Sequence, residues 1–123
     1  MALDVLIADS SAAVRQILRR VLRQADVPIG QVHEAADGWE ALGLLSTQKI
    51  SLVLAGINMP SMDGLELLAQ IKASPEWRHL PVIMVAGTSN ESKVLSAAQL
   101  GAAGYVCKPF TAAQIRRTLA HMV

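Results

Sequence analysis

The chain has 123 residues, of which 52% are hydrophobic and 17% charged, and its formal net charge is +1. That length supports one core and not two, that composition excludes a disordered chain, and the apolar runs are too short to span a bilayer. Aromatic residues make up only 3%, too few to build a base-stacking platform, and a near-neutral charge selects neither nucleic acid nor a membrane surface. The first residues, Met1 to Asp4, carry neither a basic leader nor a long apolar segment, so nothing there marks the chain for export. The single cysteine, Cys107, lies in an apolar run and reads as a buried reduced thiol, which also points to the cytoplasm.

Along the chain two periodicities alternate. Leu3 to Ala8 reads as a first strand, and Ser11 to Ala25 as a helix with a stripe at Val14, Ile17, Leu18, Val21, Leu22 and Ala25. Gln31 to Ala35 is a short second strand. Asp37 and Glu40 have the spacing of a capping box at the start of a helix that runs to about Thr47. Ile50 to Gly56 is apolar without polar alternation, the pattern of a strand buried on both faces, and it feeds a loop punctuated by Pro60 and Gly64. Asp63 and Glu66 repeat the capping spacing, Leu65, Leu68 and Ile71 face inward, and Pro75 ends that helix. Leu80 to Ala86 makes a fourth strand, Glu91 to Leu100 a fourth helix closed by Gly101, and Tyr105 to Cys107 a fifth strand. Thr111 and Gln114 cap the last helix, whose stripe is Ile115, Leu119 and Met122.

Strand and helix units joined by short connections imply an α/β fold: a doubly wound, flavodoxin-like three-layer sandwich of (βα)5 type, in one domain over residues 1–123. Periodicity leaves the strand order open, and a dinucleotide-binding order is equally compatible. Against that function, the loop after the first strand, Asp9 to Ala13, has no glycine and puts a carboxylate where a pyrophosphate would sit.

Five segments carry a resemblance that runs from end to end: VLIADSS at 5–11, EAADG at 34–38, NMPSMDGLELL at 58–68, PVIMV at 81–85 and GYVCKPF at 104–110. They resemble the receiver domain of bacterial response regulators, in the single-domain chemotaxis pattern. The resemblance implies the parallel order 2-1-3-4-5 and a cis peptide at Lys108–Pro109. It also implies a two-component, phosphorelay type of signalling, in which Mg²⁺-dependent transfer places a phosphoryl group on an aspartate at the end of the third strand. That chemistry uses the acceptor, two acids after the first strand, a hydroxyl residue at the end of the fourth, and a lysine after the fifth. Transferred to this sequence, the acceptor falls on Gly56, the acids on Asp9 and Ser10, the hydroxyl on Ala86 and the lysine on Lys108.

Only Asp9 and Lys108 keep the expected chemistry. Glycine cannot form an acyl phosphate, and Ser10 removes a charge from the metal's coordination sphere. Asp9 and the carbonyl of Asn58 leave a weak Mg²⁺ site at best, so no bound metal and no other cofactor is expected. Ala86 has no hydroxyl, and Thr88 would need a different loop path to replace it. A plainer pairing is also available, with Asp9 at the helix start and Lys108 as its ionic partner. Asn58 then reads as a turn residue.

The expectation is therefore a pseudo-receiver, not an enzyme, acting through protein contacts without phosphorylation. Its partners would be a histidine kinase, a phosphotransfer protein or an output protein, met on the face of the fourth helix, fifth strand and fifth helix, which also allows a homodimer. Tyr105 and Phe110 are the aromatic residues placed for that face or its switch. With alanine at position 86, Tyr105 is expected to turn inward and hold the face in an active-like form. Two alternatives stand beside this reading: phosphoryl transfer to Asp9 or Ser10, and a small-ligand pocket enlarged by Gly56 and Ala86. Surface features outside the motifs are Arg15, Arg19, Arg20 and Arg23 with Arg116 and Arg117, which suit an acidic partner or a solvated surface, and Trp39 beside Leu44, which suits a contact or the core.

Overall fold

The computed structural model describes residues 2–87, 91–107 and 110–120. Strands β1 (Leu3–Ala8), β2 (Ile29–Ala35), β3 (Leu52–Gly56), β4 (Val82–Ala86) and β5 (Gly104–Cys107) form one parallel sheet in the order β2-β1-β3-β4-β5. Helices α1 (Ala12–Gln24), α2 (Gly38–Thr47), α3 (Gly64–Ala73), α4 (Glu91–Gln99) and α5 (Ala112–Ala120) make the crossovers. The strand order left open by periodicity is the one the receiver resemblance implied.

Alternation along the central strands explains why they show no polar residues. Leu6, Ala8, Val53, Ala55, Met84 and Ala86 face one apolar cluster, to which α2, α3 and α4 contribute Ala41, Leu68 and Ala97. Their neighbours Val5, Ile7, Leu52, Leu54, Ile83 and Val85 face a second cluster, completed by Leu18 and Leu22 of α1 and Ile115 and Leu119 of α5. Both faces of the sheet are covered, as parallel sheets require. Met122, expected on the α5 stripe, lies outside the described residues.

Local chemistry fixes where the helices begin. Ser11, Asp37 and Asp63 are extended N-cap residues whose side chains accept from the amides of Val14, Glu40 and Glu66. Thr111 does the same for Gln114 at 3.1 Å. Each such cap is worth about 1 kcal/mol. The elements differ from the sequence reading mainly at their starts: β2 begins at Ile29 rather than Gln31, and β4 at Val82 rather than Leu80. At the β5 edge, Gln114 donates to the Cys107 carbonyl at 3.0 Å and accepts from its amide at 2.5 Å, occupying groups that an incoming strand would pair with.

Candidate functional site

Parallel register brings the candidate residues together at the carboxyl ends of the central strands. Ala8 pairs with Ala55 and Gly56 with Val85, so the residues that follow or close those strands, Asp9, Gly56 and Ala86, share one end of the sheet. In an open α/β sheet this is where ligands and chemistry are found.

Gly56 is buried, and its missing side chain leaves room that a neighbour uses. A Cβ built on Gly56 would lie 2.5 Å from Oδ2 of Asp9 and 3.1 Å from its Cγ. The Asp9 carboxylate thus leans over the position from which an acceptor side chain would rise. Its other oxygen, Oδ1, accepts the Ser11 amide at 2.8 Å, an Asx-type turn that sets the chain for the Ser11 cap. Asp9 therefore supports the helix start, as the plainer reading had it, but through the residue before the helix. Ser10 is exposed beside it.

The loop after β3 is tightly held. Ile57 donates to Val85 at 3.2 Å, and the Gly64 amide returns to the Ile57 carbonyl at 2.9 Å. This return brings α3 so near β3 that a Cβ on Gly64 would collide with the Gly56 carbonyl oxygen. Met59 and Met62 are buried, and Ser61 between Pro60 and Met62 takes the left-handed φ of 66°. A non-glycine residue in that conformation costs of order 1 kcal/mol, which the anchoring methionines offset.

Asn58 does more than make a turn. Its Oδ1 accepts from Nζ of Lys93 on α4 at 3.0 Å, tying the loop after β3 to the fourth helix. Lys93 was missed from sequence, because a lysine on an exposed helix face carries no signal of a partner thirty-five residues away.

The residues present do not fit Mg²⁺. Asp9 is the one acid retained from the acidic pair, one of its oxygens is engaged by Ser11, and Lys93 brings a positive charge to Asn58. Among the described residues no three His, Cys, Asp or Glu side chains cluster as metal ligands. Lys108 and Thr88 lie outside the described residues, as do the Lys108–Pro109 peptide and the Lys108 end of the pair expected with Asp9.

The expected position of Tyr105 is corrected. It is 52% exposed, and it pairs in register with Met84 rather than filling space beside Ala86. Ala86 is itself buried in the cluster that also holds Ala97 of α4, with Val94 packed against that cluster. Left at the surface, the phenol keeps its hydrogen bonds to water. Phe110 is partly buried and packs against the cluster under α1 and α5.

The arginines on α1 divide into two kinds. Arg15 Nε and Arg19 Nη2 clamp Glu34 of β2 at 2.9 and 2.7 Å, and Arg15 Nη1 holds the Asp9 carbonyl at 2.6 Å. Burial pushes the Glu34 carboxyl up, but the hydrogen bonds and charges of Arg19 and Arg15 outweigh it and hold the pKa below the ordinary 4.5. Arg20, Arg23, Arg116 and Arg117 are exposed. Trp39 is 61% exposed, whereas Leu44 packs partly buried on the core.

A family model described as the response regulator receiver domain matches residues 5–120. The chain belongs to the response regulator receiver domain family. It is 38% identical to chemotaxis protein CheY-3 of Vibrio cholerae over 117 residues, covering 95% of this chain and 88% of that protein. Identity to chemotaxis protein CheY of Pseudomonas aeruginosa is 35%, over 95% and 93% of the two chains. Among solved structures, the chemotaxis response regulator CheY4 of Vibrio cholerae matches with a TM-score of 0.84 at 29% identity, covering 100% of both chains. A putative response regulator from Chloroflexus aurantiacus gives 0.85 at 27% identity, covering 98% of this receiver and 99% of that one. This receiver is thus of the two-component, chemotaxis-like type, and no helix among its described residues is long and apolar enough to cross a membrane.

Proposed function

We propose that this receiver passes on its signal by binding another protein, without being phosphorylated at the end of β3 and without catalytic activity of its own. The observation that carries this reading is Gly56, which offers no acceptor atom and has the Asp9 carboxylate folded over it. The supporting losses are Ser10 for an acid and Ala86 for a hydroxyl.

The partner is a histidine kinase, a phosphotransfer protein or an output protein of a chemotaxis-type pathway. It docks on α4, β5 and α5. Leu95, Tyr105 and Leu100 are 69%, 52% and 42% exposed on the first two of these elements and the turn between them, an apolar group of the kind that anchors interfaces. Because Tyr105 already lies outward, it belongs to this contact surface and not to a constitutively inward switch.

A second reading is favoured by the same geometry. The Asp9 carboxylate lies beside the Gly56 position, which supports Asp9, with Ser10 next to it, as a substitute acceptor whose oxygen attacks phosphorus while the donor's bond to phosphorus breaks. Incubation with acetyl phosphate and Mg²⁺, followed by intact-mass measurement, separates the two. Unchanged mass is expected. A gain of one phosphoryl group mapped to Asp9 would replace the leading reading with the second.

A further inference from the structure

At the end of the sheet opposite Gly56 lies a cleft of about 330 Å³. Its apolar wall is formed by Leu3 at the start of β1, Leu52 at the start of β3, Pro81 before β4, Val27 between α1 and β2, and Leu119 of α5. That volume falls at the low end of small-molecule sites, roughly 300–1,000 Å³, which suits a compact ligand with an apolar body.

Among the described residues, Arg116 and Ser51 carry the polar side chains that line the cleft. Arg116 lines the cleft from α5, and its guanidinium makes no hydrogen bond or ion pair with any described residue. Ser51 accepts the Asp4 amide at 3.3 Å, and its hydroxyl donates to no described acceptor. No acidic side chain is among the described residues of the lining. Two donors, one of them a full positive charge, beside an apolar wall select a ligand that ends in a single anionic acceptor. A carboxylate matches the planar fork of one guanidinium in charge and shape.

We propose that this cleft binds an amphipathic monocarboxylate, its carboxylate on Arg116 with Ser51 as a second donor, and its alkyl or aryl body over Leu3, Val27, Leu52, Pro81 and Leu119. The site is independent of what happens at Gly56. It lies against α5, so an occupant touches an element of the proposed docking face from its inner side.

The test uses the whole chain and octanoate, kept below its micelle threshold and followed by amide chemical shifts. Saturable shifts centred on Leu3, Val27, Leu52 and Leu119 are expected. Octanol, without the charge, binds at least tenfold more weakly, and acetate, without the body, gives no localised shifts. Arg116→Gln weakens octanoate at least tenfold. Ala120→Trp, placed on the rim, abolishes binding. Both positions are exposed, so the core is left as it is. Absence of saturation at millimolar octanoate, shifts centred on Arg20 and Arg23, or unchanged affinity in either variant would overturn the proposal.

Discussion

The carboxyl ends of the strands and the crossovers that support them differ in what they have kept. At the strand ends, the acceptor, second-acid and hydroxyl positions of the family hold Gly56, Ser10 and Ala86. Directly beneath, Ser11, Asp37 and Asp63 each complete a helix cap, and Gly64 lets α3 approach β3 against the Gly56 carbonyl. The two sets are interleaved in sequence and in space. They answer different demands. The first set is what the proposed loss of phosphoryl transfer concerns, whereas the second satisfies backbone groups that any chain with this fold must satisfy. On the proposed function, such a receiver can dispense with the reaction and still keep its frame.

Substitutions in the frame and in the vacated site should then differ in cost. The largest effect is expected for Gly64→Ala, where the new methyl collides with backbone and not with a movable side chain; about 3 kcal/mol of stability is lost, read from urea unfolding. Asp63→Ala in the same assay loses about 1 kcal/mol, the value of a cap.

Glu34→Gln, which breaks the clamp on Arg15 and Arg19, costs about 0.5–1 kcal/mol near neutral pH. The sign with pH follows from the lowered Glu34 pKa: the carboxylate's contribution is complete above its unfolded value and is lost as pH falls through the lower folded value. The difference between Glu34→Gln and the parent chain should therefore shrink in acid. The smallest effect belongs to the vacated position. Gly56→Ala meets a side chain and not backbone: the Asp9 carboxylate shifts, which loosens its hold on the Ser11 amide, and the gain of alanine over glycine in a strand offsets that, leaving a change within about 0.5 kcal/mol. If Gly56→Ala proved as costly as Gly64→Ala, the distinction between frame and chemistry would fail.

Much of the frame was legible because its signals are local. The spacings of Asp37 with Glu40 and Asp63 with Glu66 gave both helix starts, and the unbroken apolar run before Gly56 gave a strand covered on both faces. The start of β2 lies earlier than the sequence reading put it: Ile29 already pairs with Leu3, although Pro28 and Gly30 on either side are residue types common in turns. The residues at positions 10, 56 and 86, on which the proposed loss of phosphoryl chemistry rests, are read directly from the sequence. Contacts between distant segments were not. Nothing in the α1 pattern tells that Arg15 and Arg19 meet on Glu34, or that Lys93 reaches Asn58. Tyr105 was placed inward on the size of Ala86, but size counts only where no neighbour closes the gap, and α4 residues share that cluster.

The central claim is that the vacated site no longer responds to a phosphoryl group. Its most direct test is an amide spectrum of the chain titrated with beryllofluoride in millimolar Mg²⁺, with the triple variant Gly56→Asp, Ser10→Asp, Ala86→Thr alongside. The account predicts no change in the parent chain and saturable shifts near position 56 and along α4 in the triple variant. Saturable shifts at Asp9, Gly56 and Asn58 in the parent chain would contradict it.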